Sequence, residues 1–536
     1  MKPNADVLIV GAGPVGLFLA AALSRDGLDV LLIERMAERS YFCKALGITA
    51  RTMELFDDFG IAQDAADAGI WLRGVTTFTD NAPGPSMELP PGLPFGNLSL
   101  AQFEAERILE ACLARHGGHV QYGWTLASFV EEADGIRAEL LGPGTISQTV
   151  KSRFIIGCDG AHSTVRKILG LDFAGDRFPQ TFVLADLELH WPLERGRFYR
   201  FNVSAAGDRP ATTLAAVPVA GSENRYRLST VLPDSILHTA EGERSAAPTL
   251  EEIRAFVTPF LPPGTTLSRM HWSSIYRVSH RLVSSYSRGR AFLAGDAAHL
   301  HPPVGGQGMN TGLQDAYNLA WKLSMAVRDT AGPDLLDSYS TERRAVGLEL
   351  VANTSRALNE TLSQRSPMPG MRETQLLIGY RDSPIVREDR LPPDNAAPFA
   401  GDRAPNAGCL RRNYVEQSFR LHERLGRGRH CLIGYVSDES ELTAFVELAR
   451  NARTAFGDRA SSFAIIPHDS LLGDREALPV LRDTDGEFAA NYSAVPGMCW
   501  LVRPDGYLGW VSTSPTVEGL TAAIAIIAKS PISGEA

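Results

Sequence analysis

The stretch Asp6-Val-Leu-Ile-Val-Gly-Ala-Gly-Pro-Val-Gly-Leu-Phe-Leu-Ala-Ala-Ala-Leu-Ser-Arg25 leaves the chain around it little freedom in how to fold. It reads as a buried strand that runs into a glycine turn and then an apolar helix. Gly11, Gly13 and Gly16 stand at G-x-G-x-x-G spacing. The first glycine permits the tight turn, the second lets a pyrophosphate approach bare backbone, and the third lets helix and strand pack closely. The helix N-terminus turns its free N–H groups and positive dipole end toward that position. A second apolar strand, Asp29-Val-Leu-Leu-Ile-Glu34, ends on an acid where a ribose hydroxyl needs an acceptor. Strand, turn, helix, strand and acid together predict a dinucleotide site in a βαβ unit. Pro14 and Val15 in the turn and Arg35 beside the acid are counted with it. The competing reading is a tight βαβ turn without a ligand.

With 536 residues there is room for several domains and a large core. Charged residues make up 21% and hydrophobic ones 44%, which excludes a disordered chain. A net charge of −10 without any basic run argues against nucleic acid or an anionic membrane as partner. No apolar run is long enough for a transmembrane helix, and the first strand begins too early to leave room for a signal peptide. Cys43, Cys112, Cys158, Cys409, Cys431 and Cys499 are scattered with no C-x-x-C, as expected for reduced structural thiols in a cytoplasm.

Along the chain, residues 49–59 read as a helix with Thr49 as cap and Gly60 as stop. Residues 81–96 carry Pro83, Pro85, Pro90, Pro91 and Pro94 and predict a surface loop or lid, or a disordered insertion, rather than an element. Helical spacing returns over 102–115, short strands over 120–141, and a buried strand ends at Asp159, followed by Gly160, Ser163 and Arg166. From about 175 the texture changes to period-two alternation. Val183, Ala185, Leu187 and Leu189 face one way, as do Tyr226, Leu228, Thr230 and Leu232, which predicts an inserted sheet with one buried face. A third strand ends at Gly295-Asp296. A long helix then places Leu313, Ala316, Tyr317, Ala320, Leu323 and Val327 on one side. After the Pro-rich segment 391–398, apolar strands, a helix near 439–452 and a hairpin turning at Pro504-Asp505-Gly506 predict a separate small α/β domain.

Three acid-ended strand motifs thus stand in order: Gly11–Gly16 with Glu34, Asp159-Gly160, and Gly295-Asp296. With the segment Ala294-Gly-Asp-Ala-Ala-His-Leu-His-Pro-Pro-Val-Gly-Gly-Gln-Gly-Met-Asn310 and its continuation to Lys322, the sequence resembles the class A flavoprotein monooxygenases, the single-component FAD aromatic hydroxylases. The likeness is to the phenol-, pentachlorophenol-, hydroxyphenylpropionate- and polyketide-hydroxylase branch, and it covers essentially the full length. It implies an α/β fold: a Rossmann-like FAD-binding domain (1–174 and 281–395), an inserted β-sheet substrate domain (175–280) and a C-terminal thioredoxin-like domain (400–536). The last lacks C-x-x-C, so thiol–disulfide chemistry is not expected there.

By the same resemblance Asp296 binds the ribityl chain, and Gly308, Met309 and Asn310 present backbone N–H groups to the flavin. Pro303 places its carbonyl beside the reactive ring edge, and Asp159 and Gly160 lie near the pyrophosphate. Lys44 stands where relatives carry Arg, a change that keeps the charge but loses the planar fork. Gln102 and Arg107 reach the cofactor from the helix after the lid. The residues themselves leave Asp159 and Asp296 open to a plain turn or N-cap role. His299 and His301 are not expected to bind metal, and Tyr339–Arg343 is read as a structural contact. NAD(P)H is expected as a transient co-substrate, because no second complete glycine motif exists. The implied reaction uses O₂ and a C4a-hydroperoxyflavin to hydroxylate a small phenolic or other activated aromatic compound. Tyr199, Arg200, Tyr226, Arg227, Trp272 and Tyr276 are strand-borne pocket candidates. A Baeyer–Villiger, epoxidising or drug-inactivating oxygenase, or a flavin-binding partner without turnover, stays open beside it, as does a homodimer.

Overall fold

The computed structural model describes residues 4–39, 41, 45–89, 93–204, 211–232, 238–239, 242–243, 247–362, 370–390, 397–470, 472–473 and 478–529. The chain divides into two compact units, one formed by residues 1–24, 29–316 and 345–376, the other by 25–28, 317–344 and 377–536.

In the first unit the strand Asn4–Val10 sits at the centre of a sheet. Its neighbours are Ser147–Gly157 on one side and Val30–Glu34 on the other, with Ala291–Leu293 and Val120–Tyr122 beyond them. All four of these pairings are parallel. The three strands that precede Gly11, Asp159 and Gly295 and the one that ends on Glu34 are therefore consecutive, and their carboxyl ends share one edge. In an open parallel sheet that edge is where ligands bind. The strands are apolar because helices cover such sheets on both faces, and Val7, Leu8, Ile9, Ile155, Ile156 and Leu293 are fully buried.

A second, mostly antiparallel sheet of the same unit runs in the order Thr266–Ser279, Arg177–His190, Arg225–Val231, Thr212–Pro218, Arg197–Val203, Gly74–Thr79, Ala82–Glu88. The last strand overturns the expectation of a loop over 81–96. Ala82–Glu88 pairs with Gly74–Thr79 through an irregular register. Pro83 and Pro85 are tolerated there because an edge strand needs no donors on its outer side. Residues 90–92 lie outside the described residues. The alternating face of this sheet buries Val183, Ala185, Leu187, Tyr199, Phe201, Tyr226 and Leu228 against the helix Leu250–Val257.

The second unit has its own sheet, ordered Arg387–Glu388, Leu508–Ser512, Cys499–Val502, His430–Tyr435, Ala460–Ile466, Val480–Asp483, Leu410–Arg412, Ser418–Phe419. His430–Tyr435 runs parallel to Ala460–Ile466 and antiparallel to Cys499–Val502, which returns as Leu508–Ser512. One face packs on the helices Glu439–Phe456 and Val517–Ile527, through Leu442, Phe445, Leu520 and Ile524. The other holds Ile433, Phe488, Tyr492 and Trp500. A charge network is buried in this unit. Glu342 accepts from Lys322 Nζ at 2.7 Å and from Arg503 at 2.6 and 3.0 Å, and Arg503 also pairs with Asp505. Arg343 donates to the Tyr380 hydroxyl at 2.8 Å. Tyr339, Glu342 and Arg343 are thus buried in this unit, as the reading of residues 339–343 as a structural contact expects.

The helix Gly308–Val327 departs from the expectation of one apolar face. It is buried around its circumference from Asn310 to Ala326. Its polar residues Asn310, Thr311, Gln314, Asp315, Asn318 and Lys322 are all inside, and each finds a partner.

Candidate functional site

The three motif glycines do different work. A Cβ on Gly16 would lie 1.9 Å from the Gly11 carbonyl oxygen, and one on Gly11 would lie 2.5 Å from that of Cys158. Gly11 also has φ +101°, a conformation that other residues avoid. These two positions are closed by packing. Gly13 is the exception, with no atom within 4 Å of where its Cβ would stand. It leaves an open cradle at the start of the helix Pro14–Arg25, whose first N–H groups have no partner within the helix. Glu34 lies against the same turn: its Oε2 accepts from the Ala12 N–H at 2.9 Å and its Oε1 from the Met36 N–H at 3.0 Å. Arg35 beside it is exposed.

At the second motif Asp159 Oδ2 accepts from the N–H groups of Thr164 and Val165 at 2.6 and 3.3 Å. Ser163 caps the short helix Thr164–Ile168 by accepting from Arg166 N. The structure thus shows Asp159 in the capping role that the residues left open. Gly160 follows with φ +75° and open space at its Cβ position. Arg166, which the sequence offered only as a motif member, turns out to be a staple. It donates to the Ala161 carbonyl at 2.8 Å and the Ala297 carbonyl at 2.9 Å, joining the second motif to the third.

At the third motif residues 291–299 are buried with one exception, Asp296. An exposed acid inside such a run marks the one side chain that the local fold does not turn inward. Gly295 (φ +62°) and Gly312 both come against Val15, where added Cβ atoms would stand 3.0 and 2.6 Å from Val15 Cγ2. The small residues therefore let the starts of the helices Pro14–Arg25 and Gly308–Val327 come together.

The loop into the second of these helices is built from left-handed glycines, Gly305 (φ +78°) and Gly306 (φ +64°). Pro303 is exposed, and its carbonyl accepts from the Gly306 N–H at 3.1 Å. Gly308 begins the helix, and a Cβ there would stand 2.9 Å from His301 Nε2. Met309 follows it in the first turn. The Asn310 side chain is fully buried: it accepts from Thr49 N at 3.0 Å and donates to the carbonyls of Gly47 and Gly306 at 2.9 and 2.7 Å. Thr49 is the N-cap of the helix Ala50–Asp58, as its sequence position predicts. His299 meets Asp315 at 3.0 Å, and the same carboxylate accepts from Gly295 N. His301 Nδ1 lies 2.8 Å from the Pro302 carbonyl, and burial, aided by neighbouring His299, lowers its pKa to about 4. No metal-ligand cluster occurs among the described residues.

The helix Gln102–Arg115 separates the remaining cofactor candidates. Gln102 Oε1 accepts from the Ala45 N–H at 3.1 Å, beside the loop that carries Lys44. Lys44 itself lies outside the described residues. The Arg107 guanidinium is half exposed and pairs with Glu104 one turn back. The residue that sequence reasoning missed is Glu106, buried and hydrogen-bonded to Gln102 at 2.9 Å. Its only signal was a carboxylate four residues after Gln102, on the same helical face.

The pocket candidates divide by strand register. Tyr199 pairs with Ala216, and Tyr226 pairs with Leu187 and Pro218, on the face packed against Leu250–Val257. Both rings are packed around Trp191 in the interior on that face. Arg200, Arg227, Trp272 and Tyr276 lie on the opposite face, since Asp186 pairs with both Arg227 and Trp272 and Phe182 with Tyr276. That face meets the remainder of the first unit at Val217, packed against Leu46 and Ala101, and at Phe182, packed against Leu358. Arg227 is tied to buried Asp186 at 2.7 and 3.0 Å and lies over the Trp272 ring. Burial lowers the pKa of Arg200 and raises that of Tyr276.

Residues 4–354 match the model of the FAD binding domain family. The chain is 30% identical over 97% of its length to the 12-dehydrotetracycline 5-monooxygenase/anhydrotetracycline 6-monooxygenase of Streptomyces rimosus subsp. rimosus, covering 98% of that protein. It belongs to the class A FAD-dependent aromatic hydroxylases. This hydroxylase is also 30% identical to the pentachlorophenol 4-monooxygenase of Sphingobium chlorophenolicum, over 94% of the chain and 93% of that protein. The solved structure of the anhydrotetracycline hydroxylase from Streptomyces rimosus superposes with a TM-score of 0.74 at 29% identity, covering 98% of this chain and 99% of that one. The hydroxylase is thus a flavin monooxygenase with FAD as its cofactor. The residues fit that group: an open cradle at Gly13, a carboxylate at Glu34, an outward Asp296 and two converging helix starts. None of its described helices is long and apolar enough to cross a membrane.

Proposed function

We propose that the hydroxylase uses NAD(P)H and O₂ to add one oxygen atom to a phenolic or comparably electron-rich aromatic compound. The observation that carries the reading is Asp296, exposed within a buried run and on the same sheet edge as Gly13 and Glu34. Bound FAD supplies the redox and oxygen chemistry that side chains lack. In this reading Gly13 and the helix start behind it receive the pyrophosphate, Glu34 takes a ribose hydroxyl, and Asp296 holds the polar chain between phosphate and ring. The start of the helix Gly308–Val327 would offer its positive end to negative charge on the flavin.

The substrate is placed against the face of the inserted sheet that carries Arg200, Trp272 and Tyr276. A phenol needs a partner that favours its ionised, more nucleophilic form, and a desolvated guanidinium or a buried phenol hydroxyl supplies one. Trp272 offers an apolar wall, and excluding water there protects the oxygenating step. The names of the tetracycline- and pentachlorophenol-oxidising relatives support an aromatic substrate. We read the second unit as a thioredoxin-like domain without its thiol pair, since three parallel strands, His430–Tyr435, Ala460–Ile466 and Val480–Asp483, flanked by an antiparallel pair, with helices behind, suit that arrangement.

The test is NAD(P)H consumption under air with a panel of phenols and polycyclic phenols, followed by product mass. A compound that speeds consumption and gains the mass of one oxygen is the expected outcome. Consumption that yields only H₂O₂ with every compound would overturn the substrate class.

A further inference from the structure

Glu106 sits where the cofactor loop, the ribose acid and a buried amide meet. Gln102 holds Ala45 twice: its backbone N–H donates to the Ala45 carbonyl at 3.1 Å, and its side-chain Oε1 accepts from the Ala45 N–H at 3.1 Å. The segment that starts there is fixed again at its far end, where Asn310 binds Gly47 O and Thr49 N. A short stretch of backbone is thereby strung between the glycine-turn side of the site and the helix start at Gly308. The Gln102 amide presents its oxygen to Ala45 because its Nε2 donates to Glu106 Oε1 at 2.9 Å.

We propose that Glu106 is a positioning residue that makes FAD binding depend on pH by setting which way the Gln102 amide faces. An ionised Glu106 can only accept, so it fixes the Gln102 nitrogen toward itself and the oxygen toward Ala45. A protonated Glu106 keeps an acceptor oxygen but has lost its charge, so its bond to the Gln102 Nε2 weakens and no longer fixes the amide in one sense. Ala45 is then held by a less firmly fixed amide oxygen, and the cofactor binds less tightly. The proposal rests on the assignment of the glycine turn, Glu34 and the 45–49 segment to FAD.

The surroundings suit a carboxyl that changes state near neutrality. Burial pushes its pKa up to about 7, opposed by the Gln102 hydrogen bond and by Arg39, and reinforced by Glu34 and Glu110. Arg39 and Tyr122 both bind Glu110, at 3.1 Å each, so Arg39 is shared between the carboxylates rather than given to Glu106. Among the described residues these are the charged or titratable groups that face it: Glu110 from its own helix, Glu34 and Arg39 from the strand Val30–Glu34 and the loop after it, and Tyr122 from the strand Val120–Tyr122.

The experiment is FAD titration of the apoprotein between about pH 5.5 and about pH 8.5, a range in which the cluster's proton is taken up. The wild-type protein should bind FAD about fivefold more weakly at the acid end, the difference between a charge-assisted and a neutral hydrogen bond. Glu106→Gln, which is neutral at every pH, should bind at the acid-end level throughout and show no pH dependence. Gln102→Met, which has no amide for Glu106 to hold, should also be flat while keeping Glu106 and covering the case in which Glu106→Gln fails to fold. Thermal melts of the apoproteins separate this from a structural defect, which would lower stability without flattening the profile. A wild-type affinity that does not change with pH, or a Glu106→Gln profile that still does, overturns the proposal alone. No FAD uptake at any pH would overturn the site assignment and the proposal together.

Discussion

Gly13 and Asp296 can both be tested against their neighbours. A side chain on Gly16 would collide with the Gly11 carbonyl, whereas one on Gly13 enters open space. Gly16→Val should therefore fail to fold, while Gly13→Val should keep stability within about 0.5 kcal/mol and lose FAD affinity by about 100-fold. Thermal melts with FAD titration would check this, and a Gly13→Val protein that binds FAD normally would remove the cradle from the site. Asp296→Ala should behave likewise, purifying folded with little flavin, because its carboxylate is the exposed exception in a buried run. Asp159 belongs to a different class. Its Oδ2 caps the helix Thr164–Ile168, so Asp159→Ala should cost about 1 kcal/mol of stability besides any effect on the cofactor.

At the scale of the element, the helix Gly308–Val327 is pinned by its first turn. Asn310 makes three buried hydrogen bonds to backbone groups of Gly47, Thr49 and Gly306. Asn310→Leu should destabilise the protein by about 3 kcal/mol, since it buries backbone groups deprived of those partners. It should also weaken FAD binding, because the 45–49 segment loses its anchor. Unfolding in denaturant would measure the first effect. The helix itself was legible from its spacing, but its burial was not, because the buried polar residues Gln314, Asp315, Asn318 and Lys322 read as a solvent face until their partners are known. Those partners come from distant parts of the sequence, Gln375 and Glu342 among them. The strand Ala82–Glu88 was missed for the converse reason. Prolines argue against a strand only where both sides of the backbone must pair, and edge position is a property of the whole sheet. The glycine turn, Glu34 and the order of the acid-ended strands were legible because their geometry is local. The surroundings of Arg107, Tyr199 and Tyr226 were not legible, because a residue type and its spacing say nothing of which face a strand or helix shows its neighbour.

At the scale of the whole molecule each compact unit encloses a histidine that burial keeps neutral, and that couples its stability to pH. In the second unit His430 is stacked on Phe456 at 3.9 Å, and neither ring nitrogen has a hydrogen-bond partner among the described residues. Burial, with Arg503 and Arg459 nearby, lowers its pKa from 6.5 to about 3. The unfolded chain therefore takes up a proton as pH falls below 6.5 while the folded one does not, and stability is lost from 6.5 down to about 3. Between pH 7 and pH 5 this group should cost about 2 kcal/mol. His301 acts in the same sense in the first unit, with its pKa lowered to about 4. Glu342, held below the usual carboxylate range against its own burial by Arg503 and Lys322, adds a further loss at lower pH still. His430→Leu removes a ring whose nitrogens bond to nothing, so it should cost little at pH 7. It should also shrink the fall in stability between pH 7 and pH 5 by about 2 kcal/mol, read from denaturant unfolding of the apoprotein at each pH. An unchanged fall in His430→Leu would mean that the histidine is already charged in the folded unit. The buried stack on Phe456 would then have to hold a cation beside Arg503, and the interior of the second unit would need a partner for it that its described residues do not supply.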